Sequence, residues 1–116
     1  MSDNSENPKE LEIVNRTVDT YLSIFGNKWN LLILYRLFNG PKRFNELKRA
    51  LDPITQTVLI RHLKSLQSYG IVERRSIVGR TSSVVYCLSE HGYRVTPAMI
   101  SMYEWIEDLN ERVVDQ

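Results

Sequence analysis

One short segment of the chain, residues 55–64, carries side chains that can recognise the edges of DNA bases. The apolar residues of this region recur at helical spacing and would face a core: Val58, Leu59, Leu63 and Leu66. The opposite face then presents Gln56, which can pair with adenine, and Arg61, which can pair with guanine. Amide and guanidinium groups match those bases in the major groove, which admits one α-helix. The segment therefore predicts a DNA-reading helix, with an ordinary surface helix as the alternative.

The other outward positions of this predicted helix have side chains suited to other parts of DNA. Thr57 and Ile60 can touch the methyl group of thymine, whereas Lys64 is expected to meet phosphate. Thr55 is a residue type that begins helices, and the backbone amides near Thr55 and Gln56 would favour a phosphate group there. These residues extend the predicted DNA-binding surface.

Four further basic residues lie near this helix in the sequence or at the tip of a predicted hairpin: Arg43, Lys48, Arg49 and Arg80. We predict that they contact the DNA backbone, with Arg80 placed to reach the minor groove or its phosphates. For each one taken alone, a solvated position on the surface explains the charge equally well.

The net charge of +1 conceals a basic middle and an acidic end. Residues 41–80 hold nine basic and three acidic residues, a net charge of +6. Residues 81–116 hold two basic and six acidic residues, a net charge of −4. A basic stretch suits a polyanion such as DNA, so the acidic end is expected to lie away from phosphate.

The composition argues against several other classes of protein. Of the 116 residues, 42% are hydrophobic and 25% are charged, which is typical of one small soluble domain. The longest apolar run, residues 31–38, contains Arg36 and is too short to cross a bilayer. The single cysteine, Cys87, rules out an intramolecular disulfide and agrees with a cytoplasmic location. In a predicted strand, Cys87 is expected to act as a small hydrophobe rather than as a redox sensor.

No group of residues indicates catalysis, a metal or a cofactor. The sequence has no glycine-rich phosphate loop, no paired catalytic carboxylates and no nucleophile beside a base, so we do not expect an enzyme. The two histidines, His62 and His91, lack a second metal ligand at a useful spacing. His62 lies beside the buried stripe of the DNA-reading helix, where it is expected to pack or to bind phosphate.

Hydrophobic periodicity and end signals predict seven elements in the order helix, helix, helix, helix, strand, strand, helix. The first helix ends near Gly26, and Asn27 begins a second helix over residues 28–38. That second helix is apolar on nearly every side and is therefore expected to be buried. A short third helix ends at Asp52–Pro53, and the fourth is the DNA-reading helix, which Gly70 closes.

Beyond the fourth helix, two segments rich in β-branched residues, 71–78 and 83–88, predict a hairpin. Ser89 caps a last helix, in which Pro97 is expected to produce a kink or a break. Two helices joined by a tight turn and followed by a hairpin predict a mainly α fold with a two-stranded β wing, a winged helix-turn-helix.

The domain organisation expected from this pattern is simple. We predict a disordered leader over residues 1–9 and one winged-helix domain over residues 10–116, with a dimerisation helix at each end.

Several short motifs, taken in order, resemble the HxlR-type family of winged-helix regulators, which is related to the MarR type. The resemblance runs from residue 16 to residue 105 and rests on Gly26–Trp29, Gly40–Leu47, Ile54–Gln56, Gly70–Arg74, Val84–Gly92, Pro97 and Trp105. It implies a homodimer that binds DNA, with the first and last helices at the dimer interface. The apolar stripes of those helices supply the predicted interface residues: Leu11, Val14, Val18, Met102, Ile106, Leu109 and Val113.

This sequence departs from the family in one respect. Many members carry a cysteine just before the first helix that senses oxidants or electrophiles, whereas this chain has Arg16 at that position. Cys87 lies in the wing and does not replace it, so thiol sensing by that route is not expected.

The resulting hypothesis is a homodimeric transcriptional regulator that binds a palindromic operator in double-stranded DNA. The alternative is a winged-helix adaptor that binds protein and could lose Gln56, Arg61 and Lys64 without consequence. A small-molecule effector is left open, since a pocket between the dimerisation helices and the winged domain could hold one, although no polar cluster marks it.

Overall fold

A computed structural model of the chain describes residues 7–79 and 83–114. Five helices and two strands follow one another in the predicted order: α1 (Pro8–Phe25), α2 (Lys28–Leu37), α3 (Phe44–Ala50), α4 (Gln56–Ser68), β1 (Val72–Ile77), β2 (Ser83–Leu88) and α5 (Glu90–Val114). The predicted fold class, mainly α with a two-stranded β wing, is confirmed.

Side-chain oxygens cap the N-terminal ends of α1, α2 and α4. The side chains of Asn7 at α1 and Asn27 at α2 each accept hydrogen bonds from two backbone N–H groups of the first turn. At α4, Thr55 Oγ1 accepts a hydrogen bond of 3.2 Å from the N–H of Val58. Each cap satisfies donors that have no partner inside the helix, which fixes where the helix starts.

The start of α1 corrects the predicted leader. Asn7 is the N-cap and Pro8 occupies the first helical turn, where its missing N–H is no loss. The prediction of disorder is therefore wrong for residues 8 and 9, and residues 1–6 lie outside the described part of the chain.

The helix α2 lies at the centre of the fold and packs against α1, α3, α4, α5 and β2. Its side chains Ile33, Leu34 and Leu37 are fully buried. The other buried members of the same hydrophobic core are Ile24, Leu47, Leu51, Ile54, Leu59, Leu63, Leu66, Ile71, Val72, Leu88 and Met99. The prediction that α2 is buried on nearly every side is wrong, because Tyr35 and Arg36 are exposed in an open groove beside α1 and α5.

The wing is an antiparallel hairpin in which β1 pairs with β2, and Val72 lies opposite Leu88 at its base. One further residue joins it: the N–H of Lys42 donates to the Tyr86 carbonyl at 2.9 Å, and the N–H of Tyr86 donates back at 2.7 Å. Lys42 lies between α2 and α3, so this bridge ties the start of α3 to the wing.

Gly70 connects α4 to the wing and ends the helix as predicted. Its φ of +74° lies in the left-handed region that favours glycine. The N–H of Ile71 donates to the Leu66 carbonyl at 3.0 Å, and the N–H of Gly70 donates to the Gln67 carbonyl at 2.9 Å. These bonds satisfy carbonyls at the end of α4. Because Ile71 and Leu66 are both buried, the turn fixes the wing relative to α4.

Ser89 begins α5, as its position before the helix predicts. Its Oγ accepts a hydrogen bond of 3.1 Å from the N–H of Gly92 and donates one of 2.6 Å to the Gly70 carbonyl. The same side chain therefore caps α5 and holds it against the turn at the end of α4.

The helix α5 runs without interruption through Pro97, so the predicted break does not occur. Proline removes one N–H donor from a helix but leaves the rest of the backbone ladder available. Thr96 and Met99, on either side of Pro97, are buried. Tertiary packing of this turn therefore keeps the helix continuous across the proline.

Gly92, in the first turn of α5, lies directly against the backbone of Ile71. A Cβ at this position would overlap the Ile71 carbonyl oxygen and would approach the Leu88 Cβ to 3.0 Å. We expect Gly92→Ala to lower the free energy of unfolding by about 1–3 kcal/mol, as overpacking does, in urea denaturation. Gly79→Ala is the control, because a Cβ there meets no described atom within 4 Å. Equal destabilisation by the two variants would contradict this account.

Candidate nucleic-acid interface

The side of α4 that points away from the core carries the residues predicted to read DNA. On the core side, Leu59, Leu63 and Leu66 are fully buried. The residues predicted to read DNA are all exposed: Thr55, Gln56, Thr57, Ile60, Arg61 and Lys64. The fold thus brings these six residues onto one surface, here named the α4 outer face.

The flanking basic residues take three different positions. Arg43, immediately before α3, and Arg49, near its end, are exposed, whereas Lys48 is half-buried. The N–H of Arg43 donates to Glu46 Oε1 at 2.7 Å, which fixes the start of α3. Arg80 lies outside the described residues.

The basic side chains of α3 and α4 are not engaged by described carboxylates. Over residues 7–79 and 83–114, the ion pairs are Arg75 with Glu73 at 2.7 Å and Arg112 with Asp108 at 2.9 Å. Both are exposed pairs within one strand or one helix. Arg61 and Lys64 therefore present cationic groups that an external anion can approach.

His62 packs in the core, which is one of its two predicted roles. The side chain is only 8% exposed, and its Nδ1 lies 2.9 Å from Oδ1 of Asn30 in α2. Buried among the helices, the ring is not presented to a phosphate group. It instead links α4 to the central helix α2.

Asn30 is a functional candidate that the sequence analysis missed. Its Nδ2 donates to the carbonyls of Ser23 at 3.3 Å and Ile24 at 3.1 Å, both in the last turn of α1. Since the amide nitrogen is used in this way, Oδ1 is the acceptor for His62, whose Nδ1 must then carry a proton. The available signal in the sequence was the polar Asn30 between Trp29 and the apolar run Leu31–Leu34.

The ionisation of His62 follows from its surroundings. Burial lowers the pKa of His62 below its ordinary value of 6.5, and the charge of the neighbouring Arg61 lowers it further. Both effects disfavour the imidazolium form. At neutral pH the ring is therefore neutral and donates from Nδ1 to Asn30.

A second surface is formed by the apolar stripes of α1 and α5. The seven residues predicted for the dimer interface are each between 41% and 63% exposed: Leu11, Val14, Val18, Met102, Ile106, Leu109 and Val113. Other large apolar side chains on the same two helices are also exposed, including Tyr21, Leu22 and Trp105. An apolar surface of this extent is typical of an interaction site.

A groove of about 450 Å³ opens between α1, α2 and α5 beside these stripes. Its lining is mainly apolar and aromatic: Tyr21, Phe25, Leu31, Leu32, Tyr35, Arg36, Met99, Met102, Tyr103 and Ile106. Met102 and Ile106 belong both to this lining and to the predicted dimer interface. The groove is therefore continuous with the apolar stripe of α5, and Tyr21 and Phe25 line it from α1.

Other kinds of site find little support in the described chain. Cys87 is buried in β2, as its predicted role as a small hydrophobe requires. Within residues 7–79 and 83–114, no three His, Cys, Asp or Glu side chains are grouped so that they could hold a metal ion. In the same residues, no helix combines the length and apolar character needed to cross a bilayer.

The lowered pKa of His62 predicts a pH-dependent free energy of unfolding. In the unfolded chain the histidine titrates near 6.5, so as pH falls below that value the unfolded state takes up the proton first and the folded state loses stability. The loss stops growing once pH is below the folded-state pKa. We expect urea denaturation at pH of about 7.5 and about 5 to show a larger loss for the wild type than for His62→Asn, which has no titrating ring. An equal loss of unfolding free energy in both proteins would contradict the lowered pKa of His62.

Comparison with known proteins identifies the family. The family model described as HxlR-like helix-turn-helix matches residues 24–114. YdeP of Bacillus subtilis (strain 168), named as an HTH-type transcriptional regulator, is 35% identical over 96 residues, which cover 83% of this chain and 75% of YdeP. The HTH-type transcriptional regulator YodB of the same organism is 33% identical over 94 residues, which cover 81% of this chain and 84% of YodB.

Solved structures share the same fold. A MarR-family transcriptional regulator from Enterococcus faecalis V583 has a TM-score of 0.75 at 34% identity, covering 88% of this chain and 93% of that chain. The redox regulator HypR in its oxidised form has a TM-score of 0.72 at 36% identity, covering 79% of this chain and 95% of that chain. These relatives are regulators rather than enzymes. The chain belongs to the HxlR-like helix-turn-helix family and is a transcriptional regulator of the winged-helix type.

Proposed function

We propose that this regulator binds a palindromic operator in double-stranded DNA as a homodimer, with one α4 helix in each of two major grooves. The observation that carries the proposal is the α4 outer face, where Gln56 and Arg61 are exposed on the side opposite the buried leucines. Amide and guanidinium groups at these positions can each form two hydrogen bonds with one base, adenine and guanine respectively.

The surroundings of α4 suit the sugar-phosphate backbone. Lys64 lies on the outer face, and Arg43 and Arg49 are exposed at the two ends of α3. The Thr55 cap marks the start of α4, where backbone N–H groups favour an anion. We include Lys48 and Arg80 among the backbone contacts on the basis of their charge and their place in the sequence. Thr57 and Ile60 are then left to contact the methyl groups of thymine.

The homodimer is proposed from the apolar stripes of α1 and α5. Both stripes present exposed apolar side chains, the groove adjoins the stripe of α5, and a second copy of the chain carries the same features. In a symmetric dimer such a surface is covered by its own copy. The partner's helices would fill the groove, whose apolar and aromatic lining suits a protein side chain and does not by itself select a small-molecule effector.

The charge distribution fits this arrangement. The segment with a net charge of +6 contains α3, α4 and β1, whereas the segment with a net charge of −4 contains α5. In the proposed dimer α5 lies at the interface between protomers, away from phosphate. The two α4 helices would then reach half-sites about one helical turn apart, about 34 Å.

Salt dependence of binding to random duplex DNA tests the proposal first. Proteins that neutralise phosphates release counterions, so affinity falls steeply between about 50 mM and about 200 mM salt. We expect this behaviour from the full chain, followed by enrichment of a palindrome when bound sites are selected from a random DNA library. A protein-binding adaptor would show no affinity for duplex DNA at low salt, and that result would overturn the proposal.

Arg61 is the sharpest single test of base reading. We expect Arg61→Ala to cost about 1–3 kcal/mol of binding free energy at the selected operator and to relax the preference at one base position. Fluorescence anisotropy with operators that vary at each position measures both effects. Arg112→Ala is the matched control, because Arg112 is exposed at the far end of α5 and pairs with Asp108. Equal losses in the two variants would argue against a specific role for Arg61.

The dimer interface can be tested with a buried charge. We expect Ile106→Glu to shift the protein from dimer to monomer in analytical ultracentrifugation, because a carboxylate at an apolar interface would lose its hydration without gaining a partner. Ser101→Glu adds the same charge at an exposed position of α5 outside the stripe and should leave the dimer intact. A wild-type protein that sediments as a monomer at micromolar concentration would refute the proposed assembly.

A further inference from the structure

We propose that His62 is a positioning residue that sets the direction of α4 relative to α1 through its hydrogen bond with Asn30. This role rests on the proposed function, since its consequence for DNA is the spacing at which the two α4 helices of a dimer enter the major groove. Both residues are buried, so neither is expected to touch DNA.

The Asn30 side chain closes the C-terminal end of α1. The last carbonyl groups of a helix have no donor within the helix itself. Asn30 Nδ2 donates to two of them, the Ser23 carbonyl at 3.3 Å and the Ile24 carbonyl at 3.1 Å. The last turn of α1 has no basic side chain that could take this role. One amide therefore fixes how α2 lies against the end of α1.

The oxygen of the same amide reaches α4. Asn30 Oδ1 accepts the Nδ1 proton of His62 over 2.9 Å, and Asn30 is only 1% exposed, so water has little access to replace either partner. Across the described residues, this is the one hydrogen bond that joins side chains of two different helices or strands. The end of α1 and the middle of α4 are thus connected through a single side chain of α2.

The hydrophobic effect that holds α4 against the core is not directional. Burial of Leu59, Leu63 and Leu66 stabilises the helix in proportion to the buried area, and helix packing leaves a scatter of about 15–20° in crossing angle. A hydrogen bond weakens steeply as its angle departs from linear. The bond to Asn30 therefore favours one rotation of α4, and because Arg61 immediately precedes His62, the same rotation sets where Arg61 points.

In the proposed dimer the direction of α4 affects the spacing between the two α4 helices. Because α1 carries part of the dimer interface, the angle between α1 and α4 determines how far apart the two α4 helices lie. One base pair inserted between the half-sites turns one of them by about 34° around the DNA axis. A dimer whose α4 helices are firmly held should bind the operator with the insertion much more weakly. A dimer whose α4 helices are loosely held should bind the two operators with more similar affinity.

Two substitutions of His62 distinguish a role in positioning α4 from a role in the stability of the fold alone. His62→Leu fills the space without a donor, whereas His62→Asn can place an amide N–H near the position of Nδ1. The full-length proteins are compared by fluorescence anisotropy on the operator selected by the wild type and on the same operator with one base pair inserted between the half-sites. Circular dichroism defines a temperature at which all three proteins are folded.

We expect the preference of His62→Leu for the uninserted operator to fall by about threefold to tenfold, the range that one lost hydrogen bond accounts for. His62→Asn should restore the preference to within about twofold of the wild type. A role in stability alone would lower the free energy of unfolding of His62→Leu without changing the preference. An unchanged preference in His62→Leu would therefore overturn the proposal.

A second measurement does not depend on DNA. Nitroxide labels on Thr20→Cys in α1 and Ser68→Cys in α4, both exposed positions, report the distance between the helices by pulsed electron paramagnetic resonance in a Cys87→Ala background. Labelled protein is diluted with unlabelled protein so that pairs within one chain dominate. We expect a narrow distance distribution in the otherwise wild-type protein and in His62→Asn, and a broader or shifted one in His62→Leu.

The two measurements distinguish failure of the proposed DNA binding from failure of the positioning role of His62. If the wild type does not bind DNA but His62→Leu broadens the distance distribution, the proposed function fails and the positioning role of His62 stands. If the distribution in His62→Leu matches the wild type, the positioning role fails, whatever the affinity of the wild type for DNA.

Discussion

The buried amide of Asn30 joins two of the helices that carry the proposed interaction surfaces, the C-terminal end of α1 and the middle of α4. Burying an unpaired amide in an apolar core would cost about 1–3 kcal/mol of folding free energy. Here both N–H groups and the oxygen have partners in α1 and α4, so that cost is offset. Leucine packing supplies the larger part of the stabilisation, but it is the directed bonds of Asn30 that distinguish one arrangement of α1, α2 and α4 from its neighbours.

The order of elements and the α4 outer face follow from local signals in the sequence. Apolar residues at helical spacing defined α4, and Thr55 and Gly70 at its ends matched a cap and a left-handed turn in the structure. Features formed by residues far apart in the chain gave no such signal. Asn30 and His62 are separated by 32 residues. The bridge between Lys42 and Tyr86 is a single pair of residues with no period to detect.

At two places in the structure, tertiary contacts override the local preference of the sequence. Pro97 has a strong tendency to break helices, yet α5 passes through it because Thr96 and Met99 are buried against the core. The composition of α2 predicts burial on nearly every side, yet Tyr35 lines an open groove, because the described elements cover only part of the helix. How much of an apolar helix is covered depends on the number and placement of the elements that pack against it. Both are properties of the whole fold and are not visible in the helix's own sequence.

The burial of Cys87 matters because two relatives have structures that record redox states. HypR is described in oxidised and reduced forms, and YodB in reduced and diamide-treated forms. In this chain the single cysteine is 4% exposed in β2, and a thiol must be accessible and ionised to react. The Cys87 thiol is therefore shielded from a soluble oxidant in this conformation.

What the fold does supply is a common element for the two surfaces, because α2 provides part of the groove lining and also carries Asn30. Leu31 and Leu32, the two residues that follow Asn30 in α2, belong to that lining. A change in how α2 lies against α1 would alter the groove and the partner of His62 together. The helix α2 therefore contacts both the groove beside α1 and α5 and, through Asn30, the helix α4.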